Sequence, residues 1–154
     1  MTMYNSKLQL LTIFTALLIL SMGCKDVFDL DQRDRTFQGP GQVAFFPNSA
    51  TVADSSGAIS FEVQLIGEQL EQALQIPFEV VSGETDAEAG VHYEITTPSP
   101  ITLPANTSIA TFTVNVLDSD ITAARTLSVE LQEPDGETTV AENVKGTVIR
   151  IVPN

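Results

Sequence analysis

The run Ile59-Ser60-Phe61-Glu62-Val63-Gln64-Leu65 decides the fold. Its apolar residues fall on every second position, with polar residues between them. In an extended chain successive side chains point to opposite faces, so this period of two describes a strand with one face buried and one in water. The same alternation returns in Leu74, Ile76, Phe78 and Val80, where Pro77 predicts a sheet edge or a bulge, because proline cannot donate to a ladder. It returns again in Ala110, Phe112, Val114 and Val116, in Leu127, Val129 and Leu131, and in Thr147, Ile149 and Ile151. Shorter runs at Val43–Phe46, Thr51–Val52, Val91–Ile95 and Ile101–Leu103 fill the intervals. Turn-forming residues separate them: Asp54-Ser55-Ser56-Gly57, Ser82-Gly83, Pro98 to Pro100, Pro104-Ala105-Asn106 and Pro134-Asp135-Gly136. Gly67 to Ala73 has the composition for one helical turn but reads more readily as a loop between strands. About seven short strands, each polar on one face, predict an all-β fold: an immunoglobulin-like, two-sheet antiparallel sandwich. Residues 42–154 supply enough chain for one such domain with its own core.

The first 41 residues follow a different pattern. Lys7 precedes an apolar stretch from Leu8 to Met22, which ends in Gly23 and Cys24, the sole cysteine. A basic start, a short apolar core and a small residue before a cut site describe an exported leader over residues 1–23. The apolar stretch is shorter than the roughly 20 residues of a membrane span. Gly23-Cys24 resembles the lipobox of bacterial lipoproteins of the Bacteroidota type, although Ser21 and Met22 stand where the usual pattern has a leucine and a small residue. The resemblance implies acylation of Cys24 and a lipid anchor in the outer membrane. Residues 24–41 are charged, sparse in apolar side chains and closed by Gln38-Gly39-Pro40-Gly41, the composition of a flexible tether. Lys25 followed by Asp26 and Asp29 resembles a surface-export signal, which implies display on the cell surface.

Charge narrows the partners. The chain has 20 acidic and 7 basic residues, a net charge of −13, and from Gln42 onward its only cations are Arg125, Lys145 and Arg150. Such a surface repels phosphate backbones and anionic headgroups, which excludes nucleic acid and direct binding to acidic lipid. With Cys24 acylated no thiol remains for a disulfide or a cysteine metal site. His92 is the single histidine. Ser55, Ser56, Ser82 and Ser119 lie in turns, and no nucleophile elbow, phosphate-cradling loop or paired-histidine motif occurs. Glu84, Asp86 and Glu88 lie too close in sequence to flank a substrate as a glycosidase pair. The reading is a protein without catalytic residues. Sugar-binding sites stack rings on exposed aromatics. Trp is absent, and of Phe45 and Phe46 one must point outward, which makes that pair the source of an exposed ring.

Several segments together resemble a Calx-beta domain. Thr51-Val52-Ala53-Asp54-Ser55-Ser56-Gly57 leads into an alternating strand, and Ala87-Glu88-Ala89-Gly90-Val91-His92-Tyr93 has the family's order of small residue, glycine and tyrosine. Ile101 to Asn106, the long strand to Leu117 and Asp118-Ser119-Asp120 follow in sequence. The resemblance spans residues 43–152 and implies an immunoglobulin-like sandwich. It also implies a Ca²⁺ site at one end of that sandwich, with Asp54, Asp118 and Asp120 at ligand positions. Three departures weaken that set: His92 replaces an acid, Thr122 to Arg125 stands where glutamates belong, and the chain closes on Ile151-Val152-Pro153-Asn154 without paired aspartates. These readings predict an envelope lipoprotein whose sandwich contacts another protein, or alternatively an accessory that holds a glycan or Ca²⁺.

Overall fold

The computed structural model describes residues 39–154, so the leader, Cys24 and most of the tether lie outside the described residues. Eleven strands form the domain. They are β1 (Gln42–Phe46), β2 (Ser49–Ala53), β3 (Gly57–Ile66), β4 (Leu74–Ile76), β5 (Phe78–Val80), β6 (Tyr93–Ile95), β7 (Ile101–Leu103), β8 (Ile109–Val116), β9 (Arg125–Leu131), β10 (Thr139–Val140) and β11 (Gly146–Val152). One sheet has the order β10-β1-β3-β8-β6, a second has β2-β11-β9-β5, and β4 pairs with β7 alone. The two larger sheets make the predicted sandwich.

Its strands outnumber the predicted seven or so because short runs form strands of their own, because Pro77 divides the run from Leu74 to Val80, and because β10 adds a two-residue strand; prolines also mark where the chain changes partners. At Pro47 the chain leaves β1, which is antiparallel to β3, and joins the other sheet as β2, parallel to β11. At Pro77 it leaves the β4–β7 pair and becomes β5, the edge strand beside β9. Proline lacks the N–H that either ladder would need at the crossing. The parallel pairings of β2 with β11 and of β10 with β1 are the departures from an antiparallel frame. Tyr93, not Val91, opens β6: Val91 is exposed and His92 belongs to the preceding loop.

The alternation in β3 is realised as read. Phe61, Val63 and Leu65 are buried while Ser60 and Glu62 are exposed, and the strand pairs with β8 from Gly57↔Val116 to Gln64↔Ile109. Gly57 opens the strand with φ +66°, a left-handed conformation that glycine adopts without a Cβ clash. Phe112 of β8, fully buried, is the hub of the core. Its ring meets Phe45 edge-on at 5.4 Å and Phe78 edge-on at 5.1 Å, and lies 6.4 Å from Phe61. Phe45 and Phe61 belong to one sheet and Phe78 to the other, so these rings fasten the layers together. Inward rows from all strands, including Leu74, Ile76, Ile101 and Leu103 of the small pair, complete a single hydrophobic core.

Candidate functional site

One end of the sandwich gathers the polar residues singled out by sequence. The inward row of β2 runs Ala50, Val52 and then Asp54, and that of β9 runs Leu131, Val129, Leu127 and then Arg125. Both rows flank β11: Ile149 lies between Ala50 and Leu127, and Ile151 between Val52 and Arg125. Side chains two apart share a face, so Asp54 and Arg125 continue aliphatic rows into the space between the sheets. Asp54 is 3% exposed, and its amide donates to Val152 O at 3.0 Å while the next turn closes through Ser56 N–H to Ala53 O. Its Oδ1 has no hydrogen-bond partner, and neither do the buried Ser119 Oγ and Arg125 Nε. Ser119 belongs to the same end, three residues beyond Val116, which pairs with Gly57.

The other two carboxylates are placed differently. Asp118 and Asp120 are exposed, on the connection from β8 to β9, and Asp120 takes a left-handed φ of 50°. Among the described residues no three His, Cys, Asp or Glu side chains converge to hold a metal ion. Calcium takes six to eight hard oxygen ligands. A single buried carboxylate, two solvated ones and an inward guanidinium do not fit that ion.

His92 and the acidic loop before it have structural partners. His92 is 8% exposed; its Nδ1 accepts from Glu88 N–H at 2.8 Å, and its own N–H donates to Glu88 O at 2.8 Å. This reciprocal pair closes the turn that leads into Tyr93. Glu84 Oε2 accepts from Ser128 Oγ at 3.0 Å, Thr85 Oγ1 accepts from Ser128 N–H at 3.0 Å, and Asp86 Oδ1 accepts from Thr126 N–H. Glu84 and Asp86 thus fasten their loop to β9 and do not face each other across a cleft. Tyr93, 6% exposed, has its phenol pushed above its ordinary range by burial, which disfavours the phenolate.

Two grooves lie elsewhere. A groove of about 380 Å³, bordered by Pro40, Gly41, Glu68, Leu70, Glu137 and Thr138, lies where β1 begins. A smaller groove of about 180 Å³ is bordered by Glu79, Glu130, Glu133, Glu142 and Lys145. Lys145 is held there at 3.3 Å by Glu130 and 3.7 Å by Glu142, and the hydrogen bond and charge of Glu130 raise its pKa first.

The outer face of the five-stranded sheet carries the exposed ring expected of the Phe45–Phe46 pair, which is Phe46, together with two apolar residues that sequence reasoning passed over. Phe46 lies opposite Glu62, Ile109 opposite Gln64, and Ile66 opposite Gln42. Because Glu62, Gln64 and Ile66 share one face of β3, all three apolar side chains project from the same surface. They are 59%, 50% and 40% exposed respectively. The sequence signal was available: Ile66 and Ile109 sit on the polar phase of their own strands.

The family model described as Domain of unknown function (DUF4843) matches residues 44–148. No curated protein matches the sequence. Among solved structures, the apo form of the Calx CBD1 domain is 18% identical, with 75% of this chain and 98% of that chain covered and a TM-score of 0.62. The calcium binding domain CBD12 of CALX1.1 is 16% identical, with 73% and 44% covered and a TM-score of 0.61. A provisionally named carbohydrate binding protein from Bacteroides ovatus ATCC 8483 is 8% identical, with 73% and 37% covered and a TM-score of 0.54. This chain therefore spans less than half the length of the latter two. At these identities the likeness establishes a shared β-sandwich fold of the Calx-beta, immunoglobulin-like kind.

Proposed function

We propose that this chain, which belongs to the DUF4843 family over residues 44–148, is a non-catalytic lipoprotein of the cell envelope whose sandwich contacts another protein. The observation that carries the contact reading is the shared outward projection of Phe46, Ile66 and Ile109. Interfaces combine aromatic and apolar side chains with polar ones, and here Glu62 and Gln64 of β3, hydrogen-bonded to each other, lie between Phe46 on β1 and Ile109 on β8, with Gln42 and Thr111 beside them. In a chain with so large an excess of acid, an apolar face is also where like-charge repulsion opposes association least. The lipid anchor rests on Gly23-Cys24, and the surface location rests on the acidic segment that follows. Acylation of the new N-terminus at Cys24 would hold the domain at the outer membrane with residues 24–41 as its tether.

Site-specific photocrosslinking in cells tests the contact. A crosslinker at position 46 or 109 yields a discrete larger species, and one at Thr51, on the other sheet, does not. Equal yields at all three positions, or none at any, would end the reading. Protease added to intact cells tests display: a protected domain contradicts surface exposure.

The second reading is a ligand-binding accessory. A glycan is favoured by one observation, the exposed ring of Phe46, whose flat apolar face suits stacking on a sugar. Glycan-array binding that disappears in Phe46→Ala would move the assignment to this reading. Ca²⁺ as the ligand is supported only by the unpartnered Asp54 Oδ1, against the donor set described above.

A further inference from the structure

We infer that Arg125 is a built-in counter-charge for Asp54, so that this end of the sandwich is closed without a divalent cation. The inference is independent of the anchoring and contact readings. It starts from a conflict: a fold shared with a calcium binding domain has here a donor set that does not fit calcium. A carboxylate taken out of water is costly unless opposite charge or hydrogen bonds compensate it. Asp54 is 3% exposed and its Oδ1 has no hydrogen-bond partner.

The described domain offers three cations from which compensation can come. Lys145 is engaged by Glu130 and Glu142. Arg150 is exposed on the outer face of β11, since Ile149 and Ile151 on either side of it point inward. Arg125 alone continues an inward row, at the rung Val52–Ile151–Arg125, with Asp54 beginning the next rung along β2. Its Nε is buried and has no hydrogen-bond partner, the donor counterpart of the orphaned acceptor on Asp54. The other acids at this end are solvated: Asp86, whose Oδ1 accepts from Thr126 N–H beside Arg125, is exposed, as are Asp118 and Asp120. A guanidinium is charged at every accessible pH and is tied to the chain, so it compensates Asp54 without a concentration dependence. It also repels a dication that approaches the same carboxylate. Among the described residues no ion pair joins the two side chains, so the compensation we infer is a longer-range one, aided where burial reduces screening by water.

Thermal unfolding of the full chain in detergent micelles tests the inference. Wild type has the same Tm in millimolar CaCl₂ and in excess chelator. Arg125→Met, which keeps the stem and removes the charge, lowers Tm by several degrees, whereas Arg125→Lys stays close to wild type. Asp54→Asn in the Arg125→Met background recovers at least half of that loss, because the uncompensated charge is gone. Two results overturn the inference: a Ca²⁺-dependent rise in wild-type Tm that Asp54→Asn abolishes, or a cost of Asp54→Asn that is identical with and without Arg125. If Arg125→Met does not fold, the Arg125→Lys and Asp54→Asn variants with the Ca²⁺ comparison still decide it.

Discussion

Neighbouring phenylalanines in β1 provide an internal control for the register of the whole sandwich. Phe45 is 2% exposed and packs edge-on against Phe112 at 5.4 Å, while Phe46, one peptide along, is 59% exposed opposite Glu62. Truncating Phe45 to alanine removes a buried ring and leaves a cavity at the hub of the core, for which Phe→Ala losses run about 3–5 kcal/mol. Part of that loss is the edge-to-face pair itself, about 0.5–1.5 kcal/mol beyond the area it buries. Against a total stability on the order of 5–15 kcal/mol, such a loss takes a large share. At roughly 3–5 °C per kcal/mol for a domain of this size it lowers Tm by about 10–25 °C. Phe46→Ala removes a solvated ring and stays within about 0.5 kcal/mol of wild type. Urea denaturation followed by circular dichroism measures both on one footing, with unchanged m-values confirming that only stability moved. Similar losses in the two variants, or a larger loss for Phe46, would refute the assignment of β1's faces and with it the register to β3.

The turn before β3 is a second point of leverage: Gly57→Val places a β-branched residue at φ +66° and costs roughly 1–3 kcal/mol by chemical denaturation, even though no atom lies within 4 Å of the new Cβ. His92→Ala deprives the Glu88 N–H of its part-buried hydrogen bond and costs about 0.5–1.5 kcal/mol, read from the same denaturation curves. Alkaline titration should single out Tyr93, whose folded pKa is raised by burial. The neutral phenol's contribution is complete below the unfolded value of about 10 and is lost as pH rises through the folded value, so Tyr93→Phe flattens the decline in Tm above about pH 10. Cys24→Ser moves the protein from the membrane fraction to the soluble fraction after cell breakage, and mass spectrometry of the wild-type N-terminus finds the acyl chains.

The strands were legible wherever alternation extended over several residues, as in Ile59–Leu65, Ala110–Val116 and Leu127–Leu131, because burial of one face imposes a period of two on composition. The small strand β10 was not, since two residues, Thr139 and Val140, give no period, and their parallel pairing with β1 is a long-range contact. Pro77 announced an edge, and β5 is an edge. Pro47 announced nothing about a change of sheet, because the loss of one N–H is local and the choice of the new partner, β11, is made by packing.

For the candidate end the sequence showed residues but not their direction. Asp54, Asp118 and Asp120 are one type of side chain in one kind of context, turn-rich and acidic, and spacing alone treats them as equivalent. What separates them is phase: Asp54 continues Ala50 and Val52 into the interior, whereas Asp118 and Asp120 lie past the last paired residue of β8, where no partner strand imposes a face. Arg125 obeys the same rule as Asp54, being in phase with Leu127, Val129 and Leu131. The alternation that identifies core strands also points to the charged residues a fold must compensate, if each row is followed one step past its last aliphatic member. Followed in the opposite sense, along the polar phase, it finds Ile66 and Ile109, apolar residues that the fold leaves in water and on which the proposed contact surface is built.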